Sequence, residues 1–319
     1  MLRFGIIGCG AIAHNMAATI NASSGSTLLA AAAREQSRAA MFVRQYGASR
    51  AYGSYEQLVH DPDIQAVYIA TIHPTHYETA KLCLENGKYV LCEKPLTMNR
   101  TQAEELFALA QEKNLLLMEA IWTRFLPSWQ AAKRRVQSGD IGRLLTVYAD
   151  LTIPVAFNPD SRMFNLEKGG GALLDLGVYA LHAALFMLGA DYSTIHAVGR
   201  LSKTGSDCFA AVTLQYPDGR TAHASCGMDC RGTKSARLMG EKGEIIIPNI
   251  VGADHYIISR GDTAETVQLP FENGFAFELE EFEHLISRGA TESNIASPAH
   301  TLAVMGIIDE AMRQIKGTR

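Results

Sequence analysis

The sequence predicts an α/β protein in two parts. Residues 1–122 form a doubly wound parallel sheet, and residues 123–319 form a second α/β domain with a large, mainly antiparallel open sheet. Three observations carry this. Strand-like and helix-like patterns alternate through the first part, as parallel strands joined by crossover helices require. The glycine-rich segment Gly8-Cys9-Gly10-Ala11-Ile12-Ala13 lies between the first strand and the first helix. Beyond Trp122 strands follow one another through tight turns, which suits antiparallel pairing.

In order, the first strand is Arg3 to Ile7, and a helix runs from Ile12 to Asn21. A second strand, Thr27 to Ala33, leads into a helix containing Arg38 to Tyr46. The short helix Tyr55 to His60 stops at Asp61-Pro62-Asp63, and Ala66 to Ala70 forms the next strand. The helix His76 to Glu85 is stopped by Asn86-Gly87, and the strand Tyr89 to Cys92 follows. Thr101-x-x-Glu104 reads as a capping box at the start of the helix Thr101 to Lys113. The last strand of the first part is Leu115 to Glu119.

The second part opens with a helix from Leu126-Pro127-Ser128 to Gln137, closed by Ser138-Gly139-Asp140. Strands follow at 145–153, 195–201, 209–216, 221–226, 236–239, 244–248, 256–260 and 266–269. Pro217-Asp218-Gly219 is a hairpin turn. The long helix Ala172 to Leu188 interrupts the strands, and the helices Phe277 to Ser287 and Pro298 to Lys316 close the chain.

Composition excludes several classes. The net charge of −4 gives no electrostatic reason to bind nucleic acid or an anionic membrane. No apolar run reaches bilayer length, and the N-terminus runs straight into a strand pattern without the features of a signal peptide. The six cysteines are scattered through apolar contexts, so reduced thiols and a cytoplasmic location are expected. Cys226 and Cys230 are the one close pair, with no second pair at ligand spacing, so no metal site is expected.

In Gly8-x-Gly10-x-x-Ala13, Gly8 permits a tight turn and Gly10 lets a pyrophosphate approach the backbone. Ala13 lets the helix pack close to the strand. Cys9, Ala11 and Ile12 complete a loop whose free N–H groups suit phosphate. After the second strand the chain reads Ala33-Arg34-Glu35-Gln36-Ser37-Arg38. Arg34 and Arg38 would pair with a 2′-phosphate, which favours NADP over NAD. Glu35 keeps NAD open as the less favoured cofactor.

Glu93-Lys94-Pro95 follows the strand at 89–92, at the carboxyl edge where a nicotinamide would lie. Thr71, His73 and His76 follow the strand at 66–70 on the same side. Either these are cofactor contacts or the histidines are ordinary loop residues. In the helix after Gly169-Gly170-Gly171, Asp175 and Tyr179 stand four apart and share a face. A carboxylate on so apolar a helix needs a partner. A polar cleft with Lys94 is one resolution, and an ordinary capped amphipathic helix is the other. Trp122, Arg124 and Phe125 lie at the domain junction, where they either wall a substrate or pack the domains. Arg162 is a further candidate for anchoring a polar substrate, and Phe157 and Phe164 suggest an aromatic edge.

These motifs together resemble the glucose–fructose oxidoreductase (Gfo/Idh/MocA) family. The matching residues are Gly8-x-Gly10-x-x-Ala13, Ala70-Thr71 with Pro74 and His76, Glu93-Lys94-Pro95 and Asp175-x-Gly177-x-Tyr179. They span both parts of the chain. Many family members carry His at the Tyr179 position. Tyr there, with Met118–Pro127 and the glycine triplet, resembles the branch of dimeric dihydrodiol dehydrogenases and NADP-linked xylose dehydrogenases. The resemblance implies a Rossmann domain, a cis Lys94-Pro95 peptide and a homodimer formed through the open face of the C-terminal sheet. It also implies hydride transfer between nicotinamide and a carbinol or carbonyl of a sugar, cyclic polyol or trans-dihydrodiol. Tyr179 would be the acid/base, Lys94 the cation that lowers its pKa, and Asp175 the anion that orients Lys94. Lys94 as the proton carrier is the open alternative. A nucleotide-sensing regulator without chemistry, and a reductase of a biliverdin-like or imine substrate, are the rival functions.

Overall fold

The computed structural model describes residues 1–317. The chain divides into two compact units, Met1–Trp122 with Phe275–Pro298, and Thr123–Gly274 with Ala299–Arg319.

The first unit alternates β1 (Leu2–Ile7), α1 (Ala11–Ala22), β2 (Ser26–Ala32), α2 (Gln36–Tyr46), β3 (Arg50–Tyr52), α3 (Tyr55–Val59), β4 (Ala66–Ile69), α4 (His76–Glu85), β5 (Tyr89–Glu93), α5 (Arg100–Glu112) and β6 (Leu117–Ala120). Its sheet has the order β3-β2-β1-β4-β5-β6, and every neighbouring pair is parallel. This is the expected doubly wound sheet. The inner strand β4 is buried at every residue, which is why it reads as an unbroken apolar run. The strand order reverses between β1 and β4, and that reversal opens a crevice at the carboxyl ends of these two strands.

One sequence expectation needs correcting here, and one strand was not foreseen. The cap of α5 is Asn99, whose Oδ1 accepts the Gln102 N–H at 3.0 Å, and not Thr101. Both residues can cap, and the fold selects the earlier one by starting the helix at Arg100. The three-residue β3 gave no periodic signal. It is held by side chains: Arg50 Nη1 pairs with Asp61 at 2.6 Å, and the Tyr52 hydroxyl donates to the same carboxylate at 2.8 Å.

The second unit contains α6 (Pro127–Gln137), β7 (Leu144–Thr152), a π-helical turn (Leu173–Gly177) continuing into α7 (Val178–Leu188), β8 (Thr194–Leu201), β9 (Asp207–Gln215), β10 (Thr221–Gly227), β11 (Ala236–Gly240), β12 (Glu244–Ile247), β13 (His255–Arg260) and β14 (Thr263–Gln268). The sheet order is β14-β13-β12-β11-β7-β10-β9-β8. The β7–β10 pair is parallel and every other neighbouring pair antiparallel, as expected of a mainly antiparallel open sheet. The π-turn and α7 pack on β7 and β10, and the π-turn also reaches β9. The opposite face keeps exposed side chains, among them Tyr148 and Val198.

The C-terminal segment departs from the expected division at residue 122. Helix α8 (Phe275–Ser287) belongs to the first unit, not to a domain spanning 123–319. Phe282 is fully buried with its ring 5.9 Å from Phe4, and Glu283 accepts from Ser23 Oγ at 2.8 Å. Helix α9 (Pro298–Gly317) covers the outer edge of β8, where Gln314 accepts the Ala197 N–H and donates to the Ile195 carbonyl like an added strand. One further amendment concerns bilayer-length stretches. Leu166–Leu188 is 23 residues long and apolar enough to qualify by composition, but 83% of its apolar window is buried in the protein. It is a core helix.

Candidate active site

The glycine loop is built as the crevice demands. Gly8 has φ +93°, and a Cβ there would lie 2.7 Å from the Ala70 carbonyl oxygen at the end of β4. Only glycine permits that approach. A Cβ on Gly10 would meet nothing within 4 Å, so open space lies over the amino end of α1. No side chain caps that helix, and its first N–H groups face the same space. The Cys9 thiol is pushed up to about 11 by burial, against the field of Arg38, and stays protonated. Arg34 and Arg38 are exposed, and both act electrostatically on the half-buried Tyr55 phenol. Two guanidinium groups therefore lie near Tyr55 beyond β2, and the exposed Glu35 between them in sequence makes no capping bond to α2. These residues fit a dinucleotide carrying a 2′-phosphate. Tyr55 was missed in the sequence because nothing there links α3 to β2.

Around Lys94 the structure separates contacts from supports. The Lys94-Pro95 peptide is cis, and Lys94 is half-buried. Three of the residues expected as cofactor contacts have side chains or carbonyls committed within the protein. His76 has no exposed surface; its Nδ1 lies 2.8 Å from the Pro95 carbonyl and its Nε2 3.1 Å from the Thr71 carbonyl. It ties the Lys94-Pro95 loop to the end of β4. Burial first, and then the Lys94 charge, hold its pKa low. Glu93 is buried as well, with one carboxylate oxygen on the Tyr68 hydroxyl and the other accepting the Lys94 N–H at 3.3 Å. Pro95 is buried and spends its carbonyl on His76. All three position Lys94. Thr71 and His73 keep partial exposure; the Thr71 hydroxyl accepts from Thr75 at 2.8 Å, and the His73 ring stands edge-on to His76. A second carboxyl the sequence did not suggest, Glu278 of α8, is fully buried near Glu93, and burial first and then that neighbour push its pKa well up.

In the second unit the Leu173–Leu188 helix is buried almost throughout. Tyr179 is among its few residues with exposed surface. Asp175 lies in the π-turn, and its Oδ1 accepts from Arg162 Nη1 at 2.8 Å. Arg162 is thus an ion-pair partner of Asp175, with its side chain still 56% exposed. The glycine triplet has three separate causes. Gly169 takes φ +76° to end a short 3-10 turn at Leu166–Lys168. A Cβ on Gly170 would strike the backbone of Asn165 at 2.8 Å, and one on Gly171 would lie 2.2 Å from Asp207 Oδ1. Asp207 accepts the Leu173 N–H at 2.6 Å and so caps this helix from β9. Sequence reasoning missed it because the two residues are 34 apart.

The aromatic candidates divide. Trp122 is half-buried and stacks on Phe275 with centroids 4.9 Å apart. Phe157 is exposed and meets Phe164 edge-on at 5.0 Å. Arg124 and Phe125, expected to wall the substrate, are 2% and 5% exposed and offer no surface. Arg124 donates to the His182 carbonyl at 3.0 Å and lies 5.3 Å over the Phe186 ring, so it is a packing residue. Among the described residues no cluster of His, Cys, Asp or Glu could hold a metal.

Comparison with known proteins gives one consistent picture. Residues 2–121 match the family model described as oxidoreductase family, NAD-binding Rossmann fold. Residues 129–246 match the GFO/IDH/MocA C-terminal domain. The chain is 33% identical over 324 residues to trans-1,2-dihydrobenzene-1,2-diol dehydrogenase of Xenopus tropicalis, covering 98% of both chains. The human protein of that name is 32% identical over 325 residues, covering 98% of this chain and 97% of its own. A crystal structure of a 3-ketoreductase from Actinomadura kijaniata with NADP and TDP-benzene superposes with TM-score 0.90 at 31% identity, covering 98% of each chain. Levoglucosan dehydrogenase, at 22% identity and TM-score 0.89, shares the fold.

Proposed function

We propose that this chain, which belongs to the Gfo/Idh/MocA oxidoreductase family, is an NADP-dependent enzyme acting on a carbinol or carbonyl of a sugar, cyclic polyol or trans-dihydrodiol. The observation that carries the reading is the pairing of open space over Gly10 with two arginines beyond β2, in a chain that also keeps Lys94 and Tyr179. Dihydrodiol dehydrogenase relatives and an NADP-bound ketoreductase of the same fold support it.

When bound, NADP would supply the hydride acceptor or donor. The chain's own residues handle the proton. Tyr179 exchanges it with the substrate oxygen; a free phenol has a pKa near ~10 and needs a cation to ionise. Lys94 supplies that cation, and His76, Glu93 and Pro95 fix its loop. Arg162 and Asp175 hold the start of the Tyr179 helix, and Trp122 with Phe275 offers an aromatic wall for a cyclic substrate.

The test is an absorbance panel of NADP+ and NADPH against aldoses, inositols, trans-dihydrodiols and anhydro-ketoses. Hydride exchange with at least one is expected. Bound NADP without exchange on any of them would favour a nucleotide sensor instead. Arg34→Ala should raise KM for NADP about 10- to 100-fold, the value of a charge-assisted phosphate contact, and leave KM for NAD nearly unchanged. Equal effects on the two cofactors would reject the 2′-phosphate assignment.

The open sheet face carries the proposed homodimer. It holds a groove of about 300 Å³ lined in part by Tyr148, Asp150, Thr213, His223 and Arg237, and Tyr148, 47% exposed, stacks on His223. Tyr148→Asp should convert a dimer to a monomer in light scattering, because it removes an exposed aromatic surface and puts in its place a carboxylate that association would have to desolvate. A variant of unchanged mass would remove this face from the interface.

A further inference from the structure

We propose that Asp207 is a positioning residue for the reaction above: as a carboxylate it clamps the amino end of the Leu173–Leu188 helix, and through it holds Asp175 and Tyr179 in their working arrangement. The inference rests on the roles proposed for those two residues.

The clamp is direct. Asp207 Oδ2 accepts the Leu173 N–H at 2.6 Å, and the Ala172 N–H also bonds to the carboxylate. Its Oδ1 occupies the position a Cβ on Gly171 would need, which is why that residue is glycine at φ +150°. The far end of the π-turn is pinned as well, since a Cβ on Gly177 would lie 2.9 Å from Cys226 Sγ on β10. A π-turn is a wide and uncommon backbone form found mostly at functional sites. Here it is fixed at both ends against the sheet, with Asp175 in the middle and Tyr179 two residues beyond its end.

The carboxylate is costly for the fold. Asp207 is 3% exposed, and burial raises its pKa to about 6 despite the backbone N–H groups and Lys316 of α9, which act the other way. Cys226, whose own thiol burial pushes well up, is the titratable group facing it from β10. On the π-turn, Asp175 is neutralised by Arg162. The folded chain therefore keeps the Asp207 proton up to about pH 6, whereas the unfolded chain releases it in the usual carboxylate range. Stability gained from this group rises as pH falls through that window, and the ionised form lowers stability at neutral pH. A charge that weakens the fold, placed where it meets the first N–H groups of the Tyr179 helix, is explained by positioning rather than by stability.

Asp207→Asn tests this. Its amide oxygen can still accept from Leu173, but its NH2 group would face the Ala172 N–H, donor against donor. Expected at pH ~7.5 are a kcat lower by about tenfold or more, a substrate KM within about threefold of wild type, and a Tm equal to or above wild type. Wild-type kcat should also fall on the acid side with an apparent pKa of about 6, and that limb should be missing in the variant. A readout independent of turnover is amide hydrogen exchange across residues 171–179, expected to be faster in the variant than in wild type at matched pH. The wild-type protein alone gives a second check: exchange in this segment, corrected for intrinsic rates, should rise between pH ~7 and ~5. Wild-type kcat with an unchanged acid limb in the variant, or exchange that ignores both pH and substitution, would overturn the proposal. Exchange that responds in a protein transferring no hydride to any carbinol would leave the clamp standing and remove the functional reading. Loss of turnover in Lys94→Met and Tyr179→Phe with an unaffected Asp207→Asn would do the reverse.

Discussion

Lys94→Met and Tyr179→Phe should each lower kcat by about 10²-fold or more, the usual worth of a positioned proton-transfer group. Methionine keeps the length and apolar stem of lysine without its charge, and phenylalanine removes only the hydroxyl. Both substitutions should leave the folds of their units intact. Tyr179 is one of the few residues on its helix with surface to lose, and Lys94 is only half-buried. Circular dichroism and Tm should therefore stay close to wild type. The supports behave differently. Removing His76 would free the Pro95 carbonyl from its 2.8 Å contact and loosen the lysine loop. Steady-state kinetics beside thermal melts separates these cases.

Gly8→Ala and Gly10→Ala should diverge although both add one methyl group to the same loop. At Gly8 the new Cβ would lie 2.7 Å from the Ala70 carbonyl oxygen and 2.9 Å from its carbon, at a φ of +93° that alanine rarely adopts. Neither backbone can yield cheaply. A destabilisation of about 2–4 kcal/mol is expected, with loss of dinucleotide affinity. At Gly10 the Cβ would enter space that holds no protein atom within 4 Å, at φ −92°. Tm should be unchanged within about 1 °C, because ordinary φ and open space carry no penalty. NADP affinity should still fall by about tenfold or more, because the methyl takes the place of a phosphate approaching the backbone. Fluorescence titration with NADPH reads the affinity. Intact affinity in Gly10→Ala would mean that the space over α1 is not where the cofactor lies.

What could be read from the sequence is what chemistry forces on single residues or on short periodic runs. Gly8 is legible because no other residue tolerates its approach to Ala70. The buried strand β4 is legible because burial on both faces demands an unbroken apolar run. The segments around Lys94 and Asp175–Tyr179 stood out because polar groups interrupted such runs. What escaped depends on partners distant in the chain. Asp207 caps a helix 34 residues earlier. Glu278 and Phe282 carry α8 back to the first unit, where Phe282 meets Phe4. His76, Glu93 and Pro95 lie in recognisable motifs, yet only their burial and internal bonds show that they hold the Lys94 loop in place. For Arg124 and Phe125 the sequence left a substrate wall and packing both open, and only the burial of both and the bond from Arg124 to the His182 carbonyl decide for packing.

The central claim is that Lys94 and Tyr179 serve one proton transfer, and a double-mutant cycle in kcat tests it most directly. If the two act as a unit, Lys94→Met combined with Tyr179→Phe should be no slower than the worse single variant by more than about threefold. Independent losses that multiply to about 10⁴-fold or beyond, or either single variant turning over like wild type, would contradict it.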